Sequence, residues 1–154
     1  MKKLACALLF LLAFTVPVLS QQCTSKVQEF VNKTGYKITV AKACEAWVAT
    51  DALTIPKGDG LSGLLLIANE SQMKLVGIGT VVRSKAKLKL SADLLLKLMQ
   101  LNDELDYVKV GIDHDGDLFV RAELHLASLT AEDFNATVKS VVDASTRIYA
   151  LVEK

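Results

Sequence analysis

Between Ser91 and Val152 the hydrophobic pattern changes its period twice, and this feature constrains the fold of the chain more than any other. Apolar residues recur at helical spacing after Ser91, alternate with polar residues on both sides of the segment Asp113–Asp117, and recur at helical spacing again after Thr130. The pattern predicts an amphipathic helix, a β-hairpin and a second amphipathic helix. Such an order indicates helices laid on a sheet, but it carries no chemical motif.

Capping residues mark where the two helices begin. Ser91 precedes the first apolar stripe, and Thr130 precedes the second, with Asp133 in the place of the glutamate of a capping box. The stripes are Leu94, Leu95, Leu98, Met99 and Leu101, and then Phe134, Val138, Val141, Ile148 and Val152. Core packing accounts for both stripes. A membrane-surface role for the first helix is disfavoured, because Lys97 is the only cation on its polar face.

The hairpin permits a test of strand register. A three-residue loop, His114–Gly116, makes one face of the hairpin entirely apolar, whereas a two-residue loop would set Val110 against Arg121. The pairs that the longer loop creates are Val108 with Ala122, Val110 with Val120, and Ile112 with Leu118. The sequence therefore predicts the three-residue loop, with Gly116 in the left-handed conformation.

Shorter patterns precede Ser91. A helix capped by Thr24 or Ser25 is predicted to end near Gly35, and alternation then predicts extended segments over residues 36–41 and 47–50. Residues 64–68 and 73–82 are almost continuously apolar, which predicts a hairpin in the centre of a sheet.

Gly77 and Gly79 leave one face of the second strand of this hairpin without side chains. The favoured cause is a helix or bulge packed closely against the backbone, and the approach of a ligand is the alternative.

Four cations alternate with small or apolar residues after this hairpin. They are Arg83, Lys85, Lys87 and Lys89. In an extended segment all four would share one side. Such a row is either a docking surface for an acidic partner or, as we favour, a solvated edge that prevents unwanted strand pairing.

The N-terminus has the pattern of a secretory signal peptide. A basic start at Met1–Lys3 is followed by an apolar run from Leu4 to Val16, too short to span a bilayer, and Ser20 offers a small residue for cleavage. We therefore expect residues 1–20 to be removed and residues 21–154 to form one domain in the periplasm or outside the cell, without membrane insertion. The short basic start is typical of bacteria.

Removal of residues 1–20 would leave 16 basic and 17 acidic residues, so the mature chain is almost neutral and shows no nucleic-acid footprint. It would also leave Cys23 and Cys44 as the only cysteines. One intramolecular disulfide is the favoured state in an oxidising compartment, and it would stabilise the fold by about 3 kcal/mol. Two free thiols or an intermolecular bridge are the alternatives.

No catalytic or metal-binding pattern accompanies these elements. The segment Asp113–Asp117 resembles the start of a calcium loop, but Gly116 precedes the third acidic position and Leu124 stands where the closing glutamate belongs. His114 and His125 lie at opposite ends of one predicted strand, on the order of 30 Å apart. We therefore predict no catalytic residue, no cofactor and no metal, and a role other than that of an enzyme.

Several of these segments together resemble the YbjN-like family of bacterial proteins, which is associated with sensory transduction. The segments that carry the resemblance are Leu94–Leu105, in which Leu101-Asn102 are predicted to end the helix, Gly111–Asp113, Asp115–Leu118, Arg121–Leu124 and the capped final helix. The resemblance covers roughly residues 34–151 and is most specific over 94–134. It implies an α+β fold, with an antiparallel sheet of about five strands and helices packed on it, like that of type III secretion chaperones. It also implies frequent dimerisation and protein binding, but it carries over no functional residue.

These observations favour an exported, non-enzymatic protein- or peptide-binding module, chaperone-like or regulatory, that forms a homodimer in the cell envelope. The alternative is a carrier of a small molecule or lipid. Its apolar groove would lie between the helix that contains Leu94–Leu101 and the strand with Gly77 and Gly79. An exposed apolar patch over a closed core would favour the first hypothesis, and an enclosed apolar cavity would favour the second.

Overall fold

The computed structural model describes residues 25–58, 62–70 and 72–153. Its elements in chain order are α1 (Lys26–Asn32), β1 (Ile38–Lys42), β2 (Ala46–Ala49), β3 (Leu65–Glu70), β4 (Leu75–Arg83), a single 3₁₀ turn (Lys85–Lys87), α2 (Ala92–Glu104), β5 (Lys109–Ile112), β6 (Leu118–His125) and α3 (Ala131–Val152). The expected signal peptide lies outside the described residues.

The strands form one antiparallel sheet in the order β1-β2-β3-β4-β6-β5. It has six strands rather than about five, because both short segments near the N-terminus pair into it. The apolar hairpin of β3 and β4 lies in the centre of the sheet, as its continuous hydrophobicity predicts. The fold is therefore the expected α+β arrangement.

The core lies between one face of this sheet and the helices. Alternate residues of β4 from Val76 to Val82 are buried, and α3 packs across β4 and β6 on that face. The α1 helix packs on α3, with the ring centroids of Phe30 and Phe134 5.7 Å apart. Trp47 is fully buried on the same side, where its indole N–H donates to Gln28 Oε1 at 2.7 Å.

Each helix begins at a residue whose side chain accepts a backbone N–H group. The hydroxyl of Ser25 accepts from Gln28, that of Ser91 from Leu94, and that of Thr130 from Asp133, each at 3.1 Å. The capping predicted from the sequence is thus confirmed for all three helices. Within the described ranges, none of the helices is both long and apolar enough to span a lipid bilayer.

The β5–β6 hairpin has the predicted register. Val110 pairs with Val120 and Ile112 with Leu118, and Gly116 closes the three-residue loop with a φ of +91°. Because inward and outward N–H groups alternate along an edge strand, the N–H of Val110 points away from the sheet. Asn102 Oδ1, at the end of α2, accepts this N–H at 2.9 Å.

The glycines of β4 lie on the sheet face opposite the helices, so no helix approaches them. A Cβ at Gly79 would lie 2.8 Å from the carbonyl oxygen of Val120 and 2.9 Å from Arg121 Cβ. The close neighbour is therefore strand β6, and the predicted helix or bulge at this position is wrong. A Cβ at Gly77 would have room, since its nearest neighbour would be Glu70 Oε1 at 3.9 Å.

Candidate partner-binding surface

The α2 helix carries apolar side chains on two opposite sides. Leu98 and Leu101 point into the core and are buried. Leu95, Leu96 and Met99 are 42%, 56% and 71% exposed. At about 100° per residue these three lie within an arc of about 100° on the solvent side, so they form one continuous patch. We call Leu95, Leu96 and Met99 the α2 surface.

The sequence pattern predicts that two residues of the α2 surface belong to the core. The apolar stripe predicts that Leu95 and Met99 are buried, and the structure shows that this prediction is wrong. The α2 helix packs on the edge strand β5 and on α3, and its buried residues are Leu98 and Leu101. The sequence signal that could have revealed the surface is the width of the apolar stripe. Leu94–Leu96 are three consecutive leucines, and one side of a helix cannot bury all three.

Nothing in the described chain covers the α2 surface. Eight large apolar side chains are exposed in the described ranges, and three of them belong to this patch, with Leu90 just before the helix. Scattered apolar side chains are normal on protein surfaces, whereas contiguous ones mark contact sites. The molecule thus has a closed core and an exposed apolar patch.

The basic segment after β4 does not have the extended conformation that its alternation predicts. Lys85–Lys87 form a 3₁₀ turn, so the four cations do not share one side. Lys85 lies against the hairpin loop, where its side chain is in contact range of Gly116 and its backbone N–H donates to Asp117 Oδ1 at 2.7 Å. The predicted solvated strand edge is therefore wrong, because the hairpin loop holds the segment in a turn.

The other three predicted cations line one groove. Arg83, Lys87 and Lys89 lie around a space of about 730 Å³ between the start of α2 and the end of α3, together with Lys97 from α2. We call these four residues the cationic groove. Two carboxylates also line it, Asp93 from α2 and Glu153 after α3.

Arg83 is the half-buried member of the cationic groove. Its guanidinium carbon lies 5.1 Å from the centroid of the Tyr149 ring, within the range of a cation–π contact. Its Nε is buried and has no hydrogen-bond partner in the described residues. The Tyr149 hydroxyl donates to Glu153 Oε1 at 2.7 Å, and this hydrogen bond is the main cause that raises the pKa of Tyr149 above its usual value. The ring under Arg83 therefore stays neutral at physiological pH.

The groove that the carrier hypothesis requires does not form. It needs α2 to face the strand with Gly77 and Gly79, but these glycines lie on the opposite face of the sheet. An apolar hollow of about 210 Å³ does occur on that opposite face, beside Gly79, Val81 and Phe119, and it opens away from the helices. A hollow of about 390 Å³ between β6 and α3 is lined by polar groups such as His125 as well as by apolar ones.

The acidic hairpin tip has a structural role. Asp113 Oδ1 accepts the N–H of Asp117 at 2.8 Å, and Asp117 Oδ1 accepts the N–H of Lys85. His114 lies in this loop and His125 at the far end of β6, so the two imidazoles do not meet. Within the part of the chain described, no three His, Cys, Asp or Glu side chains are grouped as metal ligands would be.

Cys44 lies in the turn between β1 and β2 with a φ of +64°. Cys23 lies outside the described residues. Their pairing stays a prediction.

Comparison with known proteins gives a family and a fold. The sequence matches the profile of the YbjN family, described as "Putative bacterial sensory transduction regulator", over residues 26–154. No curated protein sequence matches the chain significantly.

Several solved structures have a fold similar to this one. A chain of the heterodimeric ExoU–SpcU complex from the type III secretion system of Pseudomonas aeruginosa has a TM-score of 0.58 and 16% identity, and the match covers 82% of this chain and 98% of that chain. YbjN from E. coli has a TM-score of 0.54 and 18% identity, with 80% and 85% covered. An uncharacterized protein from Methanothermobacter thermautotrophicus has a TM-score of 0.59 and 12% identity, with 82% and 94% covered.

At these identities the solved structures establish the fold alone, which is like that of the type III secretion chaperones as the sequence predicts. The family profile covers every described residue from the first residue of α1 onward. The chain therefore belongs to the YbjN family.

Proposed function

We propose that this protein is an exported, non-enzymatic module of the bacterial cell envelope, in which two copies pair through the α2 surface and the dimer binds a protein or peptide. The observation that carries the proposal is the exposure of Leu95, Leu96 and Met99 on the side of α2 opposite the core. A structural relative was solved as a heterodimeric complex with another protein, which supports a binding role for this fold.

The charge distribution suits a second copy as the occupant of the α2 surface. An isologous contact brings each surface against itself, so like charges at its centre would repel. The centre of the α2 surface is uncharged. The helical positions in line with it are Ala92 at the start of α2 and Asp103 near the end. An antiparallel arrangement would therefore place Asp103 of one copy over Ala92 of the other.

Export is supported by the apolar N-terminal segment with its basic start. Expression of the full chain in a bacterium, followed by fractionation and N-terminal sequencing, tests this part of the proposal. We expect a periplasmic protein that begins near Gln21. A chain that keeps Met1 and stays in the cytosol would refute the export while leaving the binding role open to its own test.

Self-association is tested by sedimentation velocity on residues 21–154 over a range of concentrations. Met99→Glu places a charge in the centre of the α2 surface, and we expect it to convert dimer to monomer at concentrations where the parent chain is a dimer. Leu96→Glu should act in the same direction. Thr146→Glu adds the same charge to an exposed position of α3, and this control should leave the dimer intact. A monomeric parent chain, or equal loss of dimer in the control, would contradict the proposal.

A further inference from the structure

The cationic groove exists because of an irregularity in β4. The register of β4 and β6 shifts between Val81 and Arg83, so that Val81 pairs with Phe119 and Arg83 pairs with Leu118. Strict alternation would place Arg83 on the open face of the sheet with Val81. The extra residue instead places Arg83 opposite buried Leu118, on the helix side, where the guanidinium lies over Tyr149. Bulges of this kind are often found where a side chain is re-aimed beside a binding site.

Arg83 has more hydrogen-bond donors than the described residues satisfy. Guanidinium groups have five N–H donors. Arg83 interacts with Tyr149 but makes no ion pair among the described residues, and its buried Nε has no acceptor. A buried donor without an acceptor is costly, so the described chain leaves the hydrogen-bonding capacity of Arg83 unfilled. The fork geometry of arginine suits the two oxygens of a carboxylate.

The other charges of the cationic groove leave an excess of positive charge. Lys87 and Lys89 make no ion pair in the described chain, whereas Lys97 is paired with Asp93 at 2.7 Å. The second carboxylate, that of Glu153, accepts the hydrogen bond of Tyr149. Four cations thus face two carboxylates, and the groove keeps a net positive charge. The start of α2, at Ser91, also lines the groove and adds the partial positive charge of a helix N-terminus.

We propose that the cationic groove binds an acidic segment of the partner polypeptide, with a carboxylate held by Arg83 and neighbouring carboxylates by Lys87 and Lys89. This inference rests on the proposed protein-binding function and names the chemistry of the partner. The groove and the α2 surface share one helix, since Leu94 and Lys97 of α2 line the groove and Leu95, Leu96 and Met99 form the surface. A space of about 730 Å³ accommodates several residues of an extended peptide rather than a single small anion.

The test is fluorescence anisotropy with an acetylated, amidated hexaglutamate peptide that carries an uncharged dye, compared with the matching hexaglutamine peptide. We expect the parent chain to bind hexaglutamate and not hexaglutamine, with an affinity that falls as salt is added. Arg83→Gln should weaken binding by roughly tenfold or more, because it removes a charge-assisted hydrogen bond from a half-buried site. Lys87→Gln, at an exposed position, should weaken it by about threefold.

Two further variants separate the groove from general charge effects. Lys85→Gln removes the same charge from the same segment but outside the groove, and it should change affinity by less than about twofold. Arg83→Lys keeps the charge and loses the fork, so it should bind more weakly than the parent chain and more tightly than Arg83→Gln. Thermal unfolding of each variant reports whether the fold is retained, and Arg83→Lys keeps the proposal testable if Arg83→Gln unfolds.

Any one of the following results would overturn the inference. The first is equal binding of the two peptides, and the second is a loss in Lys85→Gln as large as that in Lys87→Gln. The third is binding of inorganic phosphate with the same dependence on Arg83 but no binding of hexaglutamate, which would identify a small-anion site. If Met99→Glu abolishes the dimer while Arg83→Gln has no effect on peptide binding, the proposed function stands and the acidic partner is refuted.

Discussion

The helices α2 and α3 are both amphipathic and both capped, yet they use their apolar residues differently. The α3 helix buries a complete face. Its buried residues are Phe134, Val138, Val141, Ala144, Ser145 and Ile148. The α2 helix contains five leucines and a methionine but buries only Leu98 and Leu101. An apolar stripe therefore predicts that a helix forms, and the position of the helix relative to the sheet decides how much of the stripe is buried.

Position explains the difference in physical terms. The α3 helix packs on β4 and β6, which are interior strands of the sheet. It also has α1 and α2 as neighbours, so its apolar side is enclosed. The α2 helix lies beside β5, an edge strand of four residues, and beyond that edge the described chain has no further strand. The apolar side chains that α2 has in excess of its core contacts are available for contact with another molecule.

The largest expected effect is the difference in stability between a change on the buried face of α3 and a change on the α2 surface. Phe134→Ala removes a fully buried ring that contacts Phe30, and we expect it to lower the free energy of unfolding by about 3 to 5 kcal/mol. Met99→Ala should change it by less than about 0.5 kcal/mol when the protein is dilute enough to be monomeric. Urea denaturation measures both values. Similar losses for the two variants would break the comparison.

A second pair of variants sharpens the comparison within α2 itself. Leu98→Ala removes a side chain that is 6% exposed, and we expect a loss of about 2 to 4 kcal/mol. Leu95→Ala makes the same chemical change three residues earlier, on the α2 surface, and should cost less than about 1 kcal/mol in the monomer. Urea denaturation under identical conditions measures the difference. An equal cost at the two positions would show that the α2 surface is covered within one chain.

The smallest expected effect concerns the ion pair that links the two helices. Arg147 of α3 donates to Glu104 of α2 at 2.9 Å, and both side chains are more than half exposed. Glu104→Gln should therefore lower stability by less than about 1 kcal/mol, and the difference from the parent chain should shrink as salt is added. Thermal unfolding at low and high salt measures this. A larger, salt-independent loss would mean that packing rather than charge is disturbed.

Local patterns in the sequence were sufficient for those features that depend on a few neighbouring residues. The helix caps are of this kind, because the hydroxyls of Ser91 and Thr130 accept a backbone N–H only three residues further along the chain. The hairpin loop is also of this kind, because one left-handed residue, Gly116, closes it.

Features that depend on distant contacts were not predictable. The bulge before Arg83 arises from the pairing of β4 with β6, and the turn at Lys85–Lys87 depends on its contact with the hairpin loop. No pattern of nearby residues encodes either contact. As a result the sequence identified three of the four members of the cationic groove but neither Lys97 nor the geometry that joins them.

The hydrogen bond from the N–H of Val110 to Asn102 Oδ1 has a consequence for aggregation. Unprotected strand margins can recruit further chains into cross-β assemblies. Here a side-chain amide already occupies a main-chain donor at the margin of β5, which disfavours strand addition at that point. The proposed contact through the side chains of α2 would thus lie beside a strand in which one outward donor is already occupied.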